Sequence, residues 1–324
     1  MKFAPRVFGY LLVLWLGATV NFLLPRMLPG DPVEFLVGEE ASRLTPQQHH
    51  AVLAQFGLDQ PLPEQYWGYL GGLVRLDLGT SVAHGSPVLE VIASRVPWTV
   101  LLVGSAILLA FALGFALACL FHGLRRAQGP SALLGGVVLF GSLPPFWVGM
   151  LLIAIFAGVL GWLPSHGALD PEAVGWPAVG SLLRHALLPV ATLTLAYLPS
   201  VFLLARAGLE EALGAAYVAL ARAHGAGPLR VLLRQATPNV ALPLINQFAM
   251  SFGTLLGGTV VVESVFAYPG LGLALYEGIL AHDFPLVQGL FLLLVFTVVL
   301  TNFAADVLQA LLDPRLRSGA RRLA

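Results

Sequence analysis

Residues 98–121 read WTVLLVGSAILLAFALGFALACLF, and this stretch contains no charged residue. A helix that crosses the hydrocarbon core of a bilayer needs about 20 consecutive, mostly apolar residues. It also satisfies its own backbone hydrogen bonds, which lipid cannot do. The stretch from Trp98 to Phe121 is long enough and apolar enough, and it therefore predicts a transmembrane helix.

Five further stretches have the same character. Of the 324 residues, 57% are hydrophobic and only 10% are charged, whereas soluble domains carry about 25% charged residues. A soluble fold could not cover its surface with so few polar groups, so we predict an all-α polytopic membrane protein with six transmembrane helices in a single transmembrane domain, residues 1–324. The other spans are Val7 to Leu24, Leu133 to Leu160, Leu187 to Leu204, Leu242 to Val262 and Leu286 to Leu312.

Two local features qualify these spans. Lys2 and Arg6 precede the first span as they would precede a signal peptide, but no small-residue cleavage site follows, which favours an uncleaved span. Pro144 and Pro145 interrupt the third span and should kink it, because proline lacks the backbone N–H and clashes with the preceding turn.

The polar residues between the first two spans predict a folded external loop over residues 26–97. The N-terminus, residues 122–131, residues 205–239 and the C-terminal tail together hold twelve of the 17 basic residues. Basic residues are enriched in cytoplasmic segments of membrane proteins. We therefore expect a multi-pass protein of the cytoplasmic (inner) membrane with both termini in the cytoplasm.

Residues 205–239 predict a cytoplasmic helix–turn–helix between spans four and five. Glu210 and Glu211 are expected in the first turn of its first helix, where acidic side chains suit the helix dipole. Gly225 and Gly227 should end that helix, and Pro228 suits the first position of the next. The two expected apolar stripes are Leu209, Leu213, Ala216 and Leu220, and then Leu229, Leu232, Leu233 and Ala236. On pattern alone, an ordinary amphipathic hairpin at the membrane surface is the favoured interpretation.

Motifs in this segment resemble the coupling loop of ABC importer permeases. The run from Glu211 through Gly225 is similar to that of the dipeptide/oligopeptide/nickel permease family, in its B-type subunit. Leu213, His224 and Gln235 depart from the family pattern, which has Ala, Lys and His there. Further motifs with the same resemblance are Leu28 to Pro32, Gly57 to Pro61, Leu76 to Ser81, Arg95 to Thr99, Pro144 to Trp147, Trp162 to Pro164, Val262 to Phe266 and Pro269 to Gly272.

The resemblance implies a permease subunit that forms half of the pathway for di- or oligopeptides or similar small solutes. It implies as partners a second homologous permease, two cytoplasmic ABC ATPase subunits that hold ATP and magnesium, an extracytoplasmic substrate-binding protein, the lipid bilayer and a peptide substrate. The residues expected to meet the ATPase subunits are Glu210, Glu211, Ala212, Tyr217, Arg222 and Gly225.

Other kinds of site are not expected in this chain. A phosphate-binding loop requires a lysine, and the only lysine is Lys2, so the chain should be no enzyme and should need no cofactor of its own. The eight histidines show no metal-ligand spacing, and the net charge of zero would attract no nucleic acid.

Two alternatives to the importer are a self-sufficient ion-coupled carrier or channel and an intramembrane hydrolase. The carrier or channel would need ionisable groups at mid-membrane, and the hydrolase would need a nucleophile beside a base. Glu263, near the end of span five, could line a pathway and hold a peptide amino group. A structural ion pair or a hydrogen bond at the helix end is the favoured role, because a carboxylate in a span is costly without a partner.

Overall fold

The computed structural model describes residues 3–27, 33, 44–55, 59–123, 129–253 and 255–312. Over these residues the chain is helical, and its only β-type contact is an isolated bridge between Thr80 and Pro87. The all-α prediction is therefore confirmed. The helices are α1 Phe3–Met27, α2 Pro46–Gln55, α3 Leu62–Val74, α4 Val88–Gly123, α5 Gly129–Gly141, α6 Pro145–Leu152, α7 Trp176–Gly214, α8 Ala216–Ala223, α9 Thr237–Gly253, α10 Leu255–Val265, α11 Leu271–Leu280 and α12 Phe284–Leu312.

Four of the described helices are long and apolar enough to cross a membrane alone, namely α1, α4, α7 and α12. They contain the predicted spans one, two, four and six. Two of them extend well beyond the predicted limits. The helix α4 begins at Val88 rather than near Trp98 and contains Pro97, so the last residues of the predicted external loop are helical, and its limit at residue 97 stays a prediction. The helix α7 runs on to Gly214.

The third predicted span is bent by 101° between Ala132–Gly141 and Pro145–Val159. Pro144 is the N-cap of α6, and Pro145 occupies its first turn, so the predicted break is confirmed. The helix then continues as a π-helix over Ile153–Val159. A Cβ placed on Gly141 would lie 2.8 Å from the Cβ of Pro199 in α7, so the bend depends on glycine for a close contact.

The fifth predicted span is divided into α9 and α10, on either side of residue 254, which lies outside the described residues. Neither helix alone has the length of a span. The described helices therefore give four spans, or five with the bent pair counted as one. The count of six stays a prediction.

The chain divides into two compact units, each described by itself. The larger contains Val100–Tyr268 and Thr301–Ala324. Its best-packed cluster joins α4, α5, α7 and α9 with the π-helix before α9. The buried members are Ala110, Ala118, Phe121, Val137, Leu198, Phe202, Ala205, Leu209, Ala212, Ala236 and Val240. The single-domain assignment over residues 1–324 stays a prediction.

The second unit contains Lys2–Thr99 and Pro269–Leu300, and a buried carboxylate holds its loops together. Asp283, fully buried, accepts hydrogen bonds from the Ser81 hydroxyl, from the Ala83 backbone N–H at 3.0 Å and from the Leu286 N–H at 3.1 Å. We call this contact the Asp283 clasp. Together with α2 and α3 it shows that the predicted loop over residues 26–97 is folded where it is described.

Candidate coupling site

The end of α7 supplies the acidic residues of the predicted coupling segment. Glu210 and Glu211 lie in the last turn of α7, because this helix continues unbroken from Trp176 to Gly214. Their predicted place in the first turn of a loop helix is therefore wrong. A carboxylate near a helix C-terminus opposes the helix dipole and costs about 0.3–1 kcal/mol. Both side chains are exposed.

The coupling helix itself is α8, which is shorter than predicted. Ala215 adopts an extended conformation (φ −73°, ψ 151°) and caps α8 at its N-terminus. This break interrupts the predicted stripe from Leu209 to Leu220. Leu209 is fully buried in α7, whereas Leu220 is 61% exposed in α8. Within α8 the buried residue is instead Val218.

The turn after α8 is built around Gly225. Its φ of +82° lies in the left-handed region, and a Cβ there would meet no atom within 4 Å. The Gly225 N–H donates to the Arg222 carbonyl at 2.9 Å, and the Ala226 N–H donates to the Ala221 carbonyl at 3.0 Å. These two bonds form a Schellman motif, which satisfies the last carbonyls of a helix. The predicted helix end is therefore confirmed.

The segment after the turn begins where the sequence predicts but follows a different helical geometry. Gly227 is the N-cap of a single turn, Pro228–Arg230. A π-helix over Val231–Ala236 then leads into α9. Pro238 has no N–H to donate to the carbonyl four residues earlier, which favours such a widened turn.

The π-helix moves the buried face, so the predicted second stripe is only partly right. Val231 and Ala236 are buried, whereas Leu229 and Leu233 are 68% and 50% exposed. The α-helical spacing assumed from the sequence does not apply within Val231–Ala236.

Polar contacts fix the two ends of the coupling segment. The Tyr217 hydroxyl in α8 accepts a hydrogen bond from the Asn239 side-chain amide in α9 at 2.9 Å. Glu210 pairs with Arg206 one turn earlier, with an N···O distance of 3.7 Å. The guanidinium of Arg206 also lies 4.8 Å from the centre of the Phe121 ring. Ala212 is buried in the larger unit's core, so it supports the site by packing rather than by surface contact.

A cavity of about 710 Å³ opens beside Arg222. Arg222 is exposed and is the one charged residue among the described residues that line it. The other lining residues come from the end of α4, the end of α7 and the turn after α8: His122, Gly123, Leu213, Ala226, Pro228, Leu229 and Leu232.

Arg206, Asn239 and His122 were not predicted as site residues. His122 bonds through Nε2 to the Arg206 carbonyl at 3.2 Å. Asn239 meets Tyr217, 22 positions away, only in the folded chain, whereas Arg206 and Glu210 have the i,i+4 spacing of a local helical pair. Their residue types could have indicated these contacts, because a polar residue near the end of a span frequently contacts another helix.

Glu263 lies in α10 and is fully buried. The Tyr268 N–H donates to the Glu263 carbonyl at 2.8 Å, which closes the end of the helix. In the loop after α10, burial raises the pKa of Tyr268 to about 12, and the charge of Glu263 adds to the shift. The carboxylate is enclosed here, so its role in a pathway stays a prediction. Among the described residues, no group of His, Cys, Asp or Glu could hold a metal ion.

Two protein families match this chain along most of its length. The family described as "Binding-protein-dependent transport system inner membrane component" matches residues 110–318. The family described as "Binding-prot-dependent transport system membrane comp, N-term" matches residues 1–103.

Several curated relatives match nearly end to end. The di/tripeptide transport system permease protein DppB of Pseudomonas aeruginosa (strain UCBPP-PA14) is 36% identical, covering 98% of this chain and 99% of the relative. The glutathione transport system permease protein GsiC of Escherichia coli O6:H1 is 36% identical, over 96% and 97%. An inward-facing structure of the MetNI methionine ABC transporter has a TM-score of 0.54 at 20% identity, over 69% of this chain and 97% of that one. That likeness concerns the fold.

Proposed function

Since the chain belongs to the family of binding-protein-dependent transport system inner membrane components and is the permease subunit of an ABC importer, we propose that it forms half of a translocation pathway for di- or oligopeptides or a similar small solute such as glutathione. The observation that carries the substrate class is the end-to-end similarity to a di/tripeptide permease and a glutathione permease. A second homologous permease supplies the other half.

The chain is a multi-pass inner-membrane protein, and both termini are proposed to lie in the cytoplasm. The excess of basic residues near the termini and in residues 205–239 supports this orientation. A single cysteine at the exposed Ala83, in a Cys119→Ser background, should then react with an impermeant maleimide in spheroplasts. A cysteine at Leu220 should react only after permeabilisation, and the reverse pattern would refute the orientation.

The segment from Glu210 to Gly225 is proposed to meet one of the two cytoplasmic ATPase subunits, which bind ATP and magnesium. Two features of α8 support this proposal, its exposed side chains and its attachment at both ends. Short α8 exposes Tyr217, Leu220 and Arg222, and it is tied at both ends by the α7 core and the Gly225 turn. A helix that is held at both ends moves as a rigid body when a bound partner moves, because its ends cannot move independently.

The exposed apolar and acidic groups indicate which kind of surface a partner subunit would need in order to bind here. Burying the Leu220 side chain in a partner cleft would contribute about 2 kcal/mol. Glu210 and Glu211 stand at a helix end where they weaken the isolated helix. A basic group on the partner would offset this cost, as expected where a functional site breaks a local rule.

Two variants test this proposal. Gly225→Val strains the left-handed turn by about 1–2 kcal/mol and re-aims the start of the next helix, while Glu211→Arg reverses the charge offered to the partner. We expect both variants to insert normally, to lose ATPase co-purification and to abolish uptake of a labelled dipeptide. The matched control is Gly227→Ala, because a Cβ at Gly227 meets nothing within 4 Å and its φ of −67° is not left-handed.

The same experiment separates the importer from a self-sufficient carrier. In a carrier, α8 would have no partner, and both variants would keep full uptake. Full uptake together with undiminished ATPase co-purification would refute the assignment of residues 210–225 as the coupling site.

A further inference from the structure

The helix α3 packs beside the C-terminal part of α1 through its tyrosines. The Tyr66 and Thr19 hydroxyls are 2.7 Å apart, and the Asn21 amide donates to the Tyr69 hydroxyl at 3.1 Å. The Phe22 ring packs against both tyrosine rings, with centroid distances of 5.1 and 5.4 Å. These contacts fix the position of α3 along α1.

Because α1 is predicted to cross the membrane, the position of α3 along α1 indicates how deeply α3 lies in the bilayer. The apolar part of α1 ends near Leu24, and Thr19 lies five residues earlier, about 7 Å further in at 1.5 Å per residue. Arg26 marks the level of the lipid headgroups. Its guanidinium lies 3.6 Å from the centre of the Phe22 ring and donates to Gln65 of α3 at 2.8 Å. A charged group on a long stem at a span end extends toward the headgroups.

The side of α3 turned away from α1 carries apolar side chains. Trp67, Leu70 and Val74 follow spacing of three and four residues, so they share one helical face. Trp67 is 70% exposed and Val74 is 87% exposed, whereas Leu70 is half-buried. We call these three residues the outer stripe of α3. Glu64 and Arg75 lie at its two ends and are exposed.

We propose that α3 is an interfacial membrane helix, and that its outer stripe inserts into the lipid leaflet that α1 reaches with its C-terminal end. The tyrosine hydroxyls meet α1 at Thr19 and Asn21, about 4–8 Å inside the end of its apolar part, while Gln65 meets Arg26 at the headgroup level, so α3 lies at the boundary between headgroups and acyl chains. Interfacial helices bury their apolar faces about 5–10 Å into the boundary between headgroups and acyl chains. Trp67 has the amphipathic ring that this zone favours, and Glu64 and Arg75 can reach the headgroups.

A soluble partner fits these observations less well. A protein that approached from the water would meet α3 only above the headgroups. The contacts of Tyr66 and Tyr69 with Thr19 and Asn21 put that face of α3 below the headgroups, where the exposed outer stripe meets lipid rather than water. The segment before α4 is therefore partly a membrane-surface structure rather than a loop standing in water.

The proposal can be tested with a polarity-sensitive fluorophore on a single cysteine. Val74→Cys, in a Cys119→Ser background, is purified with its partner subunits and reconstituted in liposomes with nitroxide-labelled or ordinary lipid. Asp59→Cys, exposed just before α3, is the control. We expect lipid nitroxide to quench the label at position 74 several-fold more than the label at position 59, and aqueous iodide to show the opposite order. Trp67→Cys, on the same face, repeats the measurement if Val74→Cys yields too little protein.

Two outcomes would overturn the proposal. Equal iodide quenching of the labels at positions 74 and 59 would place the outer stripe in water. Shielding of the label at position 74 from iodide only after the substrate-binding protein is added would identify a protein partner. Neither outcome depends on ATPase attachment or uptake, so the membership of the chain in the importer family is unaffected.

Discussion

At Asp283 the chain buries a carboxylate and surrounds it with donors, whereas at Gly225 it holds a turn with backbone hydrogen bonds and leaves the adjoining side chains exposed. Both regions connect helices outside the apolar spans. The polar groups of the Asp283 clasp make hydrogen bonds to one another, so few of them remain to bind a partner. The coupling segment keeps Leu220, Tyr217 and Arg222 at its surface. The contrast separates a connection whose polar groups are satisfied internally from one whose side chains remain exposed.

The largest expected effect is on stability, at the clasp. Asp283→Ala would remove the acceptor of the buried Ser81 hydroxyl and of the partly buried Ala83 N–H, and a buried group left without a partner costs about 1–3 kcal/mol. We expect a fall of several degrees in the melting temperature of the detergent-solubilised protein. The control is Asp59→Ala, at an exposed position in the same unit. An unchanged melting temperature for Asp283→Ala would show that the clasp does not hold this unit together.

A smaller effect is expected from Tyr217→Phe. This change removes the hydroxyl that accepts from Asn239 while keeping the ring, and an exposed hydrogen bond contributes about 1 kcal/mol. We expect a small loss of stability and a measurable loss of transport per ATP hydrolysed, because α8 would be less firmly tied to α9. If transport per ATP were unchanged, the bond would be structural only.

The smallest effect on stability is expected from Leu220→Asp. This variant best distinguishes an effect on partner binding from an effect on folding. Leu220 is 61% exposed and lies in a short helix whose buried residue is Val218. Surface substitutions usually change stability by about 0.5 kcal/mol or less. We therefore expect an unchanged melting temperature together with loss of ATPase co-purification. Val218→Ala should do the reverse, lowering the melting temperature while the partner still binds.

The sequence predicted the parts of this fold that depend on local chemistry. The long apolar stretches became helices, the Pro144–Pro145 pair broke the third one, and Gly225 ended α8 in a left-handed turn. Each of these depends on a property that a residue carries by itself, either hydrophobicity, a missing N–H or freedom in φ.

The parts that the sequence did not predict depend on contacts between distant residues. The helix break at Ala215 is unexpected, because alanine has the highest helix propensity. Gly214 before it was the one local signal, since glycine costs about 1 kcal/mol in a helix interior. Placing Glu210 and Glu211 correctly required knowing that Leu209 and Ala212 pack in the core of α7. The Ser81–Asp283 contact joins residues 202 positions apart, and no pattern within either segment points to the other.

The exposed leucines beside the Gly225 turn also bear on how the cell handles an unassembled subunit. Leu220, Leu229 and Leu233 are each at least half exposed in this chain alone. A chain made in excess of its partners would keep these side chains in water, where chaperones and membrane proteases recognise exposed apolar groups. We therefore expect the subunit made alone to turn over faster than the same subunit made with its ATPases. Balanced synthesis of the subunits would then be a requirement set by three leucine side chains.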